Sequence, residues 1–327
     1  MSSLDTTNAV ARRPFPGRRA RFGDVLLQGV AGLAALGATF LVGLIVYKIV
    51  QGSKLSLSTF GLGFVTHIAW NPVAGHLDFG AGAFLFGTAV TSVGALILAT
   101  PLALAVALFL SELSPNWLRG PVTALVETLA AIPSVLIGLW GILVLGPFLL
   151  NHVDPALHSA LGFIPLFGPA TYASNVFTAI VVLTIMILPI IASISRELFL
   201  GVPGELKEGA LALGLTRWEM VRGVVFPYAR GGVAAAMILG FGRAIGEAIA
   251  VQQVIGGFTG THLLWNLFSP GDTIGSKIAA NYQGSQTGLE LSSLVYLALI
   301  LLVFSLIVNV VAQVIVRRSA RRLGTSA

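Results

Sequence analysis

The sequence predicts an all-α membrane protein with about six transmembrane helices. Hydrophobic residues occupy 56% of the 327 positions and charged residues only 10%, whereas soluble proteins carry roughly 25% charged residues. The apolar residues are gathered in long runs, and a helix needs about 20 residues to cross a bilayer. No soluble core could use so much apolar sequence, so we expect an integral membrane protein.

Six apolar runs make up the predicted transmembrane domain, residues 25–316. A basic tail of residues 1–24 precedes it and a second basic tail of residues 317–327 follows it. The first run is too long for the apolar region of a signal peptide and ends without a small-residue cleavage site, so it is predicted to be a span. The predicted spans are residues 25–50, 84–110, 122–150, 176–194, 231–257 and 289–316.

The distribution of basic residues predicts how the chain is oriented. Most of the 19 Lys and Arg residues fall in the two tails, at Arg119 and between residues 196 and 230, which would all lie on one side of the membrane. Basic residues are enriched on the cytoplasmic side. We therefore predict that both termini and residues 202–227 are cytoplasmic.

Several classes of chemistry are absent from the sequence. Cysteine is missing, which excludes disulfides and thiolate metal sites. There is no G-x-x-x-x-G-K-[ST], so the chain is predicted not to hydrolyse ATP itself. No catalytic residue and no metal ligand are predicted, because the histidines fall in predicted outer connections at spacings that suit no zinc motif. These are His67, His76, His152, His158 and His262.

Residues 202–227 predict two short helices joined by a glycine turn. Pro203 suits the first turn of a helix, and Gly214 is a plausible helix stop. Thr216 and Glu219 have the Thr-x-x-Glu spacing of a capping box, which starts a second helix. The alternative is an ordinary polar loop between two spans, but a loop that only connects spans would not need helix caps and a glycine turn within so few residues.

The same segment carries two further predictions. Leu206, Ala210 and Leu213 recur at helical spacing, which predicts an apolar face on the first helix. Pro227 is predicted to end or bend the second helix, because proline lacks the N–H donor that the helix interior needs.

A second feature is a charged pair inside the run of residues 231–257. Arg243 is near its middle, and Glu247 is predicted one helical turn later on the same face. Charged side chains are costly in a bilayer and should face protein or water. Gly242 and Gly246 form a G-x-x-x-G, which lets another helix approach beside them.

Three interpretations of Arg243 and Glu247 remain open at this stage. They could form a structural ion pair between helices or part of a proton relay, although a relay usually needs more ionisable partners. They could also contact a transported anion, because arginine stays charged and its planar fork of donors matches an oxyanion. Glu247 could hold the guanidinium when no anion is bound, and it makes the pair neutral overall.

Thr88, Thr91 and Ser92 are the other candidate pathway residues. They lie at helical spacing in the run of residues 84–110 and could donate hydroxyl hydrogen bonds to the same anion. The alternative is that each hydroxyl bonds to a carbonyl of its own helix.

The sequence of residues 202–227 resembles the EAA loop of ABC importer permeases, which has the form E-A-A-x3-G-x9-I-x-L-P. The matching residues are Glu208, Gly209, Ala210, Gly214 and Pro227, and the first alanine of the motif is replaced by Gly209. The resemblance implies a type I permease fold, in which this loop docks on a cytoplasmic ATPase and transmits its closure. We call residues 202–227 the coupling loop.

A wider resemblance covers the chain from about Trp70 to Val316. The stretches FGRAIGEAIAV, FGAGAFLFGTAVTS, ATPLALAVALFLSELSP and AAIPSVLIGLWG are similar to the permease subunits of Pst-type phosphate importers, the C-type subunit most closely. This implies a sister permease subunit, two copies of a cytoplasmic ABC ATPase, which would bind the ATP and Mg²⁺, and an extracytoplasmic phosphate-binding protein. It also implies a bacterial cytoplasmic membrane, no cofactor on this chain, and a pathway role for Arg243 and Glu247.

The function expected from the sequence is therefore phosphate import by alternating access, as a transport subunit and not an enzyme. Two alternatives stay open. The cargo could be another oxyanion, such as sulfate or molybdate, or a small solute. The chain could instead be an ion-coupled carrier that works without an ATPase.

Overall fold

The computed structural model describes residues 18–73, 75–257, 265–285 and 288–321, with side chains between residues 23 and 316 of those ranges. Most of the predicted N-terminal tail, His262 and the end of the C-terminal tail lie outside the described residues. In chain order the helices and strands are α1 (Arg18–Phe60), β1 (Trp70–Asn71), β2 (Asp78–Phe79), α2 (Gly82–Leu113), α3 (Asn116–Ala131), α4 (Ser134–Leu161), α5 (Val176–Leu200), α6 (Gly204–Ala212), α7 (Arg217–Gly246), α8 (Ile249–Val254), α9 (Ile274–Asn281) and α10 (Gly288–Arg321).

Six helices in the described part of the chain are long and apolar enough to cross a membrane, namely α1, α2, α4, α5, α7 and α10. This confirms the predicted all-α membrane fold with about six spans. The strands β1 and β2 form a short antiparallel pair, with Trp70 opposite Phe79. Short 3₁₀ turns cover Gly61–Val65, Pro165–Phe167 and Tyr282–Gly284.

The chain divides into two units, residues 1–48 and residues 49–327. In the first unit, large apolar side chains of α1 are exposed, including Leu33 at 71% and Phe40 at 69%. A helix that is apolar all round suits a lipid environment.

The second unit is built around α5, which is the most buried of its spans. Ala95, Ala99 and Ala103 on α2 are fully buried and share one core cluster with Ile187 and Ile191 of α5. Small residues at every fourth position let two membrane helices approach closely. The close packing of α2 on α5 therefore follows from this alanine stripe.

The predicted span of residues 122–150 is wrong in its boundaries, because the helix breaks inside it. Ile132 and Pro133 are extended, with ψ angles of 128° and 136°. A proline disfavours the helical conformation of the residue before it. The amphipathic helix α3 therefore ends at Ala131, and the spanning helix α4 begins at Ser134 and continues to Leu161, so it also contains His152 and His158.

The predicted span of residues 231–257 is also displaced. The helix α7 starts at Arg217 and ends at Gly246, because Glu247 is extended with a ψ of 123°. The predicted second short helix of the coupling loop is thus the first turn of this span. A π-helical segment at Val221–Val225 precedes Pro227, and the helix continues through the proline. Pro227 therefore does not end it.

Candidate functional site

The candidate site is a cavity of about 970 Å³ between α5, α7 and α10. Its apolar lining comes mainly from Ile190 on α5 and Ile238 and Leu239 on α7. Its polar lining comes from Arg243 and Glu247 at the end of α7 and from Ser305, Asn309 and Gln313 on α10. The cavity therefore joins both predicted charged residues to neutral polar groups of the last span.

Arg243 lies in the last turn of α7 and is exposed to the cavity. The glycines on either side leave room around it: a Cβ added to Gly246 would have open space, and one added to Gly242 would lie 3.8 Å from Asn309 Oδ1. Among the described residues no neighbouring helix comes so near that either glycine is required, and the predicted close approach at the G-x-x-x-G is not seen. Among the described residues, Arg243 makes no hydrogen bond or ion pair, so its donors face the cavity without a protein partner.

Glu247 does not occupy the position that the sequence predicts. Because α7 ends at Gly246, the residue is extended and does not stand one helical turn above Arg243. Its Oε1 accepts a hydrogen bond of 3.2 Å from the Ala250 backbone N–H, at the start of α8. No ion pair within 4.0 Å joins it to Arg243 in the described structure, although both residues line the same cavity. Carboxylate and guanidinium therefore stay separately available to an occupant of that cavity.

The structure does not bring Thr88, Thr91 and Ser92 into this cavity. All three are buried, and their hydroxyls donate to carbonyl oxygens of their own helix: Phe84 at 2.7 Å, Gly87 at 2.8 Å and Thr88 at 2.6 Å, respectively. Thr88 Oγ1 also accepts a 3.0 Å hydrogen bond from Ile274 N–H, at the start of α9. These hydroxyls therefore hold helices in place, and the expectation that they share a site with Arg243 is corrected.

The coupling loop contains the predicted caps. Gly214 has a φ of +83°, a left-handed conformation that favours glycine. Thr216 and Glu219 form a capping box: the Glu219 N–H donates to Thr216 Oγ1, and the Thr216 N–H donates to Glu219 Oε2 at 2.8 Å. The turn between α6 and α7 is thus fixed by short-range contacts.

The predicted apolar face of α6 is only partly buried. Ala210 is buried and belongs to one core cluster with Val221 and Phe199, whereas Leu206 and Leu213 are 47% and 85% exposed. Glu208 and Gly209 are exposed on the same helix, and Trp218 at the start of α7 is 66% exposed. Large apolar side chains exposed on and beside α6 are typical of an interaction surface.

A second polar cavity, of about 460 Å³, is lined by Gln252, Gln253, Asp272, Lys277 and Asn281. Burial lowers the pKa of the Lys277 ammonium group, and the charges of Asp272 and Glu290 oppose that shift. The ammonium group also lies 5.5 Å from the ring centre of Trp70. Two carboxylates and aromatic faces thus already surround this cation, which makes it a weaker candidate for an anion site than Arg243.

Comparison with known proteins identifies the family. Residues 99–323 match the family model described as the binding-protein-dependent transport system inner membrane component. The chain belongs to this family.

Relatives in this family are similar over nearly the whole chain. The phosphate transport system permease protein PstC of Pasteurella multocida (strain Pm70) is 40% identical over 305 residues, which cover 92% of this chain and 94% of the relative. That of Mesorhizobium japonicum is 40% identical over 311 residues and covers 94% of each chain. These relatives confirm the resemblance to C-type permease subunits that the sequence predicted.

Solved structures show the same fold. A bacterial ABC transporter involved in the import of the acidic polysaccharide alginate superposes with a TM-score of 0.61 at 16% identity, over 91% of this chain and 99% of that one. The inward-facing MetNI methionine ABC transporter superposes with a TM-score of 0.51 at 20% identity, over 71% of this chain and 92% of that one. The predicted ABC importer permease fold is therefore confirmed, and the chain is a multi-pass membrane component of a transport system.

One contact in the coupling loop was not predicted. Lys207 Nζ lies 2.6 Å from Glu112 Oε1 and donates a 2.9 Å hydrogen bond to the Phe199 carbonyl oxygen. Their side chains are only 17% and 9% exposed. This ion pair ties α6 to the end of α2 and to the last turn of α5. No sequence signal joins two residues that are 95 positions apart.

The polar residues of α10 were also missed. Ser305, Asn309 and Gln313 are the polar residues between Leu297 and Val316, and they recur at every fourth position. This spacing places them on one face of a helix. A search for helical periodicity among polar residues, and not only apolar ones, would have found them.

Proposed function

We propose that this chain is the permease subunit of an ATP-driven importer and passes inorganic phosphate across the cytoplasmic membrane by alternating access. The observation that carries the proposal is the 40% identity to PstC proteins over 92% and 94% of this chain. The cavity agrees with an anionic cargo, because the free donors of Arg243 line it and arginine stays charged at any physiological pH.

The proposed orientation has both termini and the coupling loop in the cytoplasm. Basic residues concentrate at these positions, and such a bias normally marks the cytoplasmic side. The exposed Leu206, Leu213 and Trp218 then form a surface on which a cytoplasmic ATPase subunit docks, and Glu208 and Gly209 belong to the same helix. ATP and Mg²⁺ are bound by that partner, and no cofactor is assigned to this chain.

The proposed assembly contains a sister permease subunit, two ATPase subunits and an extracytoplasmic phosphate-binding protein. The Lys207–Glu112 ion pair supports a mechanical role for the coupling loop, because it fastens α6 to the ends of α2 and α5. Movement of the ATPase against α6 would therefore reach two spans directly. Partners that co-purify with the tagged chain from its native membrane test this composition.

The decisive experiment measures uptake of labelled phosphate by the complete complex in proteoliposomes, with ATP inside and loaded binding protein outside. Arg243→Gln should lower uptake by roughly 10- to 100-fold, because a charge-assisted hydrogen bond contributes about 1.5–3 kcal/mol. Arg243→Lys is the matched control that keeps the charge but loses the planar fork, so it should retain part of the activity. Undiminished phosphate uptake by the Arg243→Gln complex would contradict the pathway role.

The same vesicles separate the alternatives. Uptake of sulfate or molybdate in place of phosphate would show another oxyanion as cargo. Uptake driven by an ion gradient, with this chain reconstituted without an ATPase, would show an ion-coupled carrier instead.

A further inference from the structure

The last span carries a polar stripe, Ser305, Asn309 and Gln313, with no evident structural task. Every other residue from Leu297 to Val316 is apolar, and the helix is one of the candidate membrane spans. Amide side chains are costly in a bilayer unless they face protein, water or a ligand. Two amides and one hydroxyl on one face therefore mark that face as functional.

All three side chains line the cavity that also holds Arg243 and Glu247. In the described part of the chain none of the three makes a hydrogen bond, in contrast to Ser292 and Ser293 nearer the start of α10, which bond to α1 residues. Asn309 lies close to the helix segment that carries Arg243, because a Cβ added to the neighbouring Gly242 would lie 3.8 Å from Asn309 Oδ1 and 4.0 Å from Nδ2. The stripe thus offers unused donors to the same cavity that Arg243 lines.

We propose that Asn309, with Ser305 and Gln313, forms the neutral half of an oxyanion-binding site whose charged half is Arg243. This inference rests on the proposed function and names the ligands of the same site. A tetrahedral oxyanion presents four oxygens, and the arginine fork binds two of them. The amide N–H groups of Asn309 and Gln313 and the Ser305 hydroxyl are the donors available for the others.

Neutral donors suit a transport site better than further cations would. Arg243 and Glu247 have opposite charges, so the cavity carries no net charge from these two residues. The amide N–H groups can recognise the anion by the direction of their hydrogen bonds and add no further positive charge. This matters because a conducting site must bind its ion weakly enough to release it. The competing role for the stripe is attachment of a sister-subunit helix, since polar side chains also join membrane helices.

The first test is uptake by the complete complex carrying Asn309→Leu, which keeps the branched shape at Cγ and removes the donors. Phosphate uptake per assembled complex should fall about tenfold, and Asn309→Gln, which keeps the amide, should recover part of it. Val310→Leu, on the same helix but outside the cavity lining, is the control and should stay at the wild-type rate.

The second test uses the absence of native cysteine in this chain. Asn309→Cys and the control Val310→Cys are treated in the assembled complex with a negatively charged, membrane-impermeant thiol reagent. We expect modification at position 309, slowed by phosphate, and none at position 310, which is exposed on an apolar face of the span outside the cavity lining.

The outcomes distinguish the two proposals. Normal phosphate uptake by the Asn309→Leu complex would overturn the ligand role of Asn309, and so would labelling at position 309 that phosphate does not slow. If Arg243→Gln still loses uptake in that case, the proposed function itself stands. If the Asn309→Leu chain no longer co-purifies with the sister subunit and position 309 is not labelled, the stripe forms the contact between subunits. This outcome also overturns the ligand role of Asn309. Absence of phosphate uptake by the wild-type complex instead refutes the proposed function itself.

Discussion

Replacing Lys207 by methionine should disconnect the coupling loop from the spans that it is proposed to move. The methionine keeps the length and apolar stem of lysine but removes the ammonium group that contacts Glu112 at 2.6 Å and the Phe199 carbonyl at 2.9 Å. Glu112 would then be left with 9% of its side chain exposed and without its cation.

The size of the effect follows from the burial of the pair. Removing one partner of a fully buried ion pair costs about 3–5 kcal/mol. Lys207 is still 17% exposed and the contact is at the end of the spans, so a value of about 2 kcal/mol is appropriate. This corresponds to a roughly 30-fold shift towards states in which α6 is detached from α2.

The assay compares phosphate uptake with ATP hydrolysis in the same proteoliposomes. We expect Lys207→Met to hydrolyse ATP while the number of phosphate ions imported per ATP falls several-fold. Lys54→Met, which removes an exposed cation of α1 outside the coupling loop, is the control and should not change this ratio. The charge-exchanged variant with Lys207→Glu and Glu112→Lys should regain part of the coupling. An unchanged ratio in Lys207→Met, with full assembly of the complex, would refute the reasoning.

Two further predictions concern the turn and the cavity. Gly214→Ala should destabilise the coupling loop by about 1–2 kcal/mol, because its φ of +83° is unfavourable for alanine. The matched control is Gly209→Ala, because Gly209 lies in a helix and no atom is within 4 Å of the added Cβ. It should stabilise α6 by about 1 kcal/mol. Equal melting temperatures of the two purified variants would contradict this. Glu247→Gln keeps an oxygen acceptor for the Ala250 N–H but leaves Arg243 uncompensated, so the KM and kcat for phosphate should both fall, by roughly three- to tenfold. A raised KM would argue against the charge-balancing role of Glu247.

The features that the sequence predicted correctly are local ones. The capping box joins Thr216 to Glu219, three residues apart, and the left-handed Gly214 is determined by its own lack of a side chain. The count of six spans depends on apolar runs of about 20 residues, which are also contiguous. Such features need no knowledge of which helices pack together.

The boundaries inside apolar runs were harder to predict. Pro133 is a visible helix breaker, but the apolar residues on both sides make one continuous run, so the break between α3 and α4 was missed. The end of α7 after Gly246 was missed for a similar reason, and it moved Glu247 off the helical face of Arg243. Hydropathy alone does not predict where a helix ends inside a continuous apolar run.

The site itself depends on contacts between residues that are far apart in the chain. Thr88 accepts its hydrogen bond from Ile274, 186 positions away, and nothing near Thr88 shows that this hydroxyl is already engaged. The cavity likewise joins α7 to α10, so Arg243 was predicted as a pathway residue and Asn309 was not. Both cases require the packing of helices, which a single sequence does not supply.

The junction between α2 and α9 has a consequence for how a signal crosses this molecule. The Thr88 hydroxyl holds the first amide of α9, and at the adjoining Gly87 the Asp272 carbonyl oxygen comes so near that an added methyl group would clash with it. The start of α9 is consequently fastened to the second span. A protein bound to α9 would therefore act on α2, the same helix whose other end carries Glu112, the partner of Lys207.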